Sequence, residues 1–117
     1  MKSERYYRLT AACLIVHELE AVLLRDTVTL RSFQDPFEQI IMLAHVPVVL
    51  GLLVIAEFTR RVHIRFGLCM FAVLHVGLHW AYRDQPLHDL GSITSWVLIL
   101  LAGIFGAAYL VPEEKAR

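Results

Sequence analysis

The feature that most constrains the fold is a series of four apolar segments, each about 20 residues long and separated by short polar connections. They run from about residue 6 to 24, 36 to 58, 62 to 82 and 92 to 111. An α-helix of about 20 residues, rising 1.5 Å per residue, crosses the roughly 30 Å hydrocarbon core of a bilayer. Because short connections join antiparallel neighbours, the chain is predicted to be all-α, an up-down-up-down four-helix transmembrane bundle.

Composition agrees with one membrane domain that covers residues 1–117. Hydrophobic residues make up 57% of the chain, yet 19% of its residues are charged, with the charges concentrated at ends and connections. The formal net charge is zero, so nothing points to nucleic-acid binding. We expect the lipid bilayer to be the main partner, with a homo-oligomer or a larger membrane complex as further alternatives.

The distribution of Lys and Arg predicts the orientation of the helices. Eight of these residues lie in the two terminal tails and the 59–65 turn, and only three lie in the other two connections. Positive residues favour the cytoplasmic side, so both termini are predicted to be cytoplasmic. The N-terminal segment lacks a cleavage site after its apolar stretch, and we interpret it as a retained first helix.

Local signals agree with these helix boundaries. Asp35-Pro36-Phe37-Glu38 has the pattern of a helix start, with Asp as cap and Pro in the first turn. Pro112 is expected to close the fourth helix because proline cannot continue it. Pro47 lies inside the second helix and predicts a local kink.

Histidines inside the apolar segments are the main functional signal. His17, His45 and His75 each lie eight or nine residues from the same end of their predicted helices, at depths of about 12–14 Å. Glu20 and His79 lie about one turn closer to that surface. An ionisable side chain in hydrocarbon costs several kcal/mol, so such a layer predicts a functional site in the outer half of the membrane.

Helical spacing indicates which of these side chains share a face. His75 and His79 are four residues apart, the spacing at which two imidazoles on a helix can bind one metal ion. His17 and Glu20 share a face of the first helix, whereas Glu18 points about 100° away. The predicted metal ligands are His17, Glu20, His45, His75 and His79. Glu18 or His88 is expected to support the ligands or to gate the site.

Neutral imidazole is a ligand for Zn, Fe and Cu, so a transition metal ion is the expected cofactor. The chain would then either bind metal as its function or be a metal-dependent enzyme acting on a lipid-like substrate. In an enzyme, the ion would act as a Lewis acid or activate water or oxygen, and Glu20 is the candidate catalytic base if it is not a metal ligand. The sequence leaves open whether the protein is an enzyme.

Three other interpretations stay open. Two histidines at equal depth, His75 with His17 or His45, could bind haem b in an electron-transfer protein. The ionisable layer could also relay protons or ions without a cofactor. Finally, the chain could be an accessory subunit of a larger membrane complex, with its histidines packed against a partner.

The pentapeptide His17-Glu18-Leu19-Glu20-Ala21, followed by three more predicted spans, resembles a group of small uncharacterised bacterial membrane proteins. These proteins carry a His-Glu-Leu-Asp/Glu-Ala motif in a first transmembrane helix and further histidines in their membrane spans. The resemblance implies a four-helix membrane fold in a bacterial inner membrane and no particular activity. A weaker likeness is to histidine-box membrane oxygenases and desaturases, but this chain is shorter and lacks their adjacent His-His pairs.

Overall fold

A computed structural model describes residues 2–24, 36–81 and 93–112 of the chain. These residues form four helices: α1 (Lys2–Leu24), α2 (Pro36–Thr59), α3 (Val62–Ala81) and α4 (Ile93–Leu110). The prediction of an all-α chain is thus confirmed over the part that is described. The helix continues through Pro47, and α4 ends just before Pro112. Asp35 and His88 lie outside the described residues, as does the side chain of Glu38.

Contacts between the helices give their relative directions. Glu4 and His17 of α1 contact Arg65 and His75 of α3, so α1 and α3 run parallel. Tyr109, near the end of α4, packs on the Tyr7 ring near the start of α1, so these two helices are antiparallel. The fourth helix packs along both α1 and α3, and α2 makes fewer contacts with α3 and α1.

Two glycines allow α3 and α4 to approach closely. A Cβ atom on Gly106 would lie 2.8 Å from the backbone oxygen of Cys69, and one on Gly103 would lie 2.6 Å from a methyl carbon of Val76. Both separations are below normal van der Waals contact. At Gly106 the contact is with backbone, so a larger residue would force the helices apart, whereas at Gly103 the Val76 side chain would have to move. Small residues at helix interfaces are a common way to bring backbones together in membrane proteins.

At the end of the bundle near the N-terminus, three side chains connect α1 to α3, and we call them the clasp: Glu4, Tyr7 and Arg65. Nη1 of Arg65 donates a hydrogen bond of 2.6 Å to Oε2 of Glu4. Its guanidinium lies 4.5 Å from the centre of the Tyr7 ring, a cation–π contact. Burial tends to raise the pKa of Glu4, but Arg65 and Arg8 outweigh it and hold that pKa below 4.5.

The turn between α2 and α3 contains Arg60, whose φ of 51° lies in the left-handed region. Its amide donates to the carbonyl of Ala56 at 3.0 Å and so ends α2. Glycine is the usual residue at such a position, because an L side chain there costs about 1–2 kcal/mol. This turn therefore retains a strained arginine.

The outer surface of the bundle is apolar along all four helices. Large hydrophobic side chains are exposed on each of them, for example Leu19, Val54, Leu74 and Ile104. Within the described residues, α3 and α4 are long and apolar enough to cross a membrane, and α2 contains a shorter apolar stretch, Ala44–Thr59.

Candidate metal centre

Two histidines of the site belong to the stripe of α3 that forms the core of the bundle. The buried residues of this helix follow the i, i+3, i+4, i+7 pattern of one helical face and are Arg65, Leu68, Cys69, Ala72, His75 and His79. The stripe begins at the clasp and ends in the two histidines. On α1, His17 is likewise buried, 3% exposed, three residues after the core residue Leu14.

The three imidazoles converge on one point between α1 and α3. Nε2 of His75 lies 3.3 Å from Nε2 of His17 and 2.7 Å from Nε2 of His79. One nitrogen from each of the three rings lies within 4.8 Å of the other two. The cluster is fully enclosed, because each of the three residues is at most 7% exposed.

This spacing suits a single metal ion. At a metal–nitrogen distance of 2.0–2.1 Å, two ligands of a tetrahedral ion are about 3.3 Å apart. The His17–His75 distance equals that value, and the His75–His79 pair needs to open by roughly half an ångström. The group could therefore hold a metal ion with a small adjustment of one ring.

Ser95 of α4 contacts the centre from a third helix. Its hydroxyl lies 3.5 Å from Nδ1 of His17, the nitrogen on the opposite side of the ring from the cluster. Ser95 is buried, 2% exposed. A contact to the second nitrogen of a metal-binding imidazole fixes the orientation of its ring. Ser95 is not among the predicted site residues, because a small hydroxyl near the start of an apolar helix carries no sequence signal of its own.

A carboxylate and a fourth imidazole form a pair beside the cluster. Oε2 of Glu18, a residue with no exposed surface, lies 3.5 Å from Nε2 of His45 on α2. The ring of His45 is centred 6.1 Å from that of His75. His45 is therefore near the cluster but not part of the group whose ligand atoms lie within 4.8 Å.

The burial of the two carboxylates that follow His17 on α1 differs from the expectation drawn from spacing alone. Glu20, placed on the face of His17 by the helical spacing, is half-buried. Glu18, placed about 100° away, is the fully buried one. Because α1 contacts α2 and α3 as well as α4, more than one of its faces is covered. The sequence signal that could have indicated a buried Glu18 is its position directly after His17, within an apolar run.

These features define a class: an all-helical protein with a buried three-histidine group and two helices that are apolar and long enough to cross a membrane. The chain belongs to a family of unknown function, DUF6713, whose model matches residues 3–115. Neither a curated protein nor a solved structure shows significant similarity to it.

Proposed function

We propose that this protein is an integral membrane protein that binds a transition metal ion inside its helical bundle. Its exposed apolar surface supports the membrane location. Large hydrophobic side chains cover the outside of all four helices, whereas the described ionisable groups in the middle of the chain's spans face inward, as His17, His75 and Glu18 do. An apolar surface of this extent is rare on a soluble monomer and is normal against lipid.

The convergence of three ring nitrogens carries the metal proposal. Nε2 of His75 faces both neighbours, at 3.3 and 2.7 Å. A proton relay through an imidazole takes a proton at one ring nitrogen and releases it at the other. A shared Nε2 is unsuited to that transfer, but three nitrogens aimed at one point suit one ion. An axial haem pair, in turn, needs only two imidazoles and gives no role to a third at this distance.

The metal is proposed to be Zn, Fe or Cu, since imidazole suits all three. Three histidine ligands alone leave at least one coordination position for water or substrate, as in catalytic zinc sites. A fourth imidazole would close a tetrahedral zinc ion, so an open position would then require an ion that takes more than four ligands, such as Fe. An ion held this way could polarise a lipid-like substrate or activate water or oxygen. Glu20, half-buried one turn after His17, is the proposed base for that chemistry.

The metal proposal is tested by purifying the full chain in mild detergent, measuring its metals and recording its visible spectrum. We expect a stoichiometric transition metal, and loss of most of it in His17→Ala, His75→Ala and His79→Ala. His63→Ala is the matched control, because His63 is an exposed histidine at the other end of α3. A protein without metal, or full retention in all three variants, would contradict the proposal. A Soret band would establish haem instead.

The orientation is proposed from the excess of Lys and Arg on one side: cytoplasmic termini and a metal centre near the outer face of a bacterial inner membrane. In a background with both native cysteines replaced, a cysteine at Ser32 should react with an impermeant reagent added to intact cells. A cysteine at Thr59 should react only after lysis. The opposite pattern would reverse the orientation and leave the metal site untouched.

A further inference from the structure

Glu18 is an unusual side chain for the interior of this bundle. It has no exposed surface, and neither of its carboxylate oxygens makes a hydrogen bond within the described residues. A buried carboxylate without partners is costly, so its position calls for a positive charge or a hydrogen-bond donor nearby. It lies directly after His17 in the chain, and its Oε2 is 3.5 Å from Nε2 of His45.

The position of His45 can be compared with those of the three clustered rings. Two imidazoles bound to one tetrahedral ion have ring centres about 5.2 Å apart, given metal–nitrogen bonds of about 2.0–2.1 Å and about 1.1 Å more to each ring centre. The His17 ring lies 5.3 Å from that of His75 and 5.2 Å from that of His79. The rings of His75 and His79 are 4.4 Å apart, about 0.8 Å closer than this distance. His45 is 6.1 Å from His75, so it is about 1 Å beyond this distance.

The orientation of His45 decides which of its nitrogens could bind the ion. Nε2 is the atom that contacts Glu18. If Nε2 carries the proton and donates it to Glu18, the lone pair of the ring is on Nδ1. Carboxylates that accept the second N–H of a metal-bound histidine are common, because they fix its tautomer and increase its basicity.

We propose that His45 is a fourth ligand of the metal centre, through Nδ1, and that Glu18 positions it by accepting a hydrogen bond from its Nε2. This inference rests on the proposed metal-binding function. It also explains the buried charge, since three or four neutral imidazoles leave both charges of a divalent ion uncompensated in a medium of low dielectric constant. Glu18 places one negative charge beside the ion and reduces the excess.

A double-mutant cycle on the full chain in detergent tests this role. The metal-free protein is titrated with Co²⁺, followed by its visible absorption, and Zn²⁺ affinity is obtained by competition. Glu18→Gln is expected to weaken binding 10–100-fold, the usual effect of removing such a partner. His45→Ala should weaken it at least as much and change the Co²⁺ spectrum. Because Glu18 acts mainly through His45, Glu18→Gln should lose most of its effect in the His45→Ala background and keep only the contribution of its charge. Glu57→Gln, an exposed carboxylate on α2, should leave affinity unchanged.

X-ray absorption of the zinc-loaded wild type gives a second measurement that needs no variant. Four imidazole ligands are expected, and three would overturn the assignment of His45. Unchanged affinity in Glu18→Gln, or losses from Glu18→Gln and His45→Ala that add in full, would overturn the positioning role while the three-histidine site stands. A wild-type protein that binds neither Co²⁺ nor Zn²⁺ would overturn both the proposed function and this inference.

Discussion

The close approach of α3 and α4 gives the most quantitative prediction. In Gly106→Ala, the new Cβ would lie 2.8 Å from the Cys69 carbonyl oxygen and 3.3 Å from the Cβ of Ala72. The first contact is with backbone, which cannot rotate away, so the two helices must separate by about half an ångström. Overpacking of this kind costs about 1–3 kcal/mol. Alanine is a better helix former than glycine by about 1 kcal/mol, which offsets part of that cost.

Gly67→Ala is the matched control, because an added Cβ at Gly67 meets nothing within 4 Å. It keeps the gain in helix propensity without the clash, so Gly106→Ala should be less stable than Gly67→Ala by about 1–3 kcal/mol. The assay is reversible unfolding of the purified protein in one detergent, with each variant compared with wild type. If Gly106→Ala is as stable as Gly67→Ala, the two helices do not pack as closely as described.

Two further perturbations test the turn and the clasp. Arg60→Gly should raise the free energy of unfolding by about 1 kcal/mol, because glycine adopts a φ of 51° without strain. Arg61→Gly removes the same charge and should give no gain in the same unfolding assay. Equal effects of the two substitutions would contradict the strain at Arg60. The pKa of Glu4 is lowered by folding, so its contribution to stability is present above about pH 4.5 and is lost as the pH falls through the folded value. Glu4→Gln should therefore be less stable than wild type at pH 7, by about 1 kcal/mol or less because the Glu4 side chain is 42% exposed. The difference between the two unfolding curves should shrink as the pH falls from 7 into the acid range. A difference that is as large at pH 3 as at pH 7 would contradict the ion pair.

The helices were predictable from sequence because apolar length and helix-ending residues are local signals. The predicted spans start and end close to the observed helices, for example 62–82 against Val62–Ala81. The pairing of His75 with His79 was equally accessible, since a separation of four residues places two side chains on one helical face. That His17 meets them followed from counting depth along antiparallel helices.

Glu18 shows where sequence reasoning stopped. Spacing gives the angle between two side chains on a helix but not which faces the neighbouring helices cover. The His17 face was taken as the buried one, which placed Glu20 inside and Glu18 aside. In the structure, Glu18 also faces a neighbour, with His45 of α2 beside it. The contact of Ser95 with His17 depends in the same way on how α4 packs against α1.

The contacts between α1 and α3 in the clasp and in the histidine cluster join residues with the same separation in sequence. Tyr7 contacts Arg65 at one end of the bundle and His17 contacts His75 at the other, and in both pairs the residue numbers differ by 58. Ten residues separate the two contacts on each helix, about 15 Å of axial rise and the same rotation. The two contacts therefore hold α1 and α3 in one register. If one residue were inserted in α1 between Tyr7 and His17, with the Tyr7–Arg65 contact kept, His17 would be turned away from His75 by about 100°. A second insertion at the matching place in α3 would bring it back, so two individually damaging insertions should compensate each other.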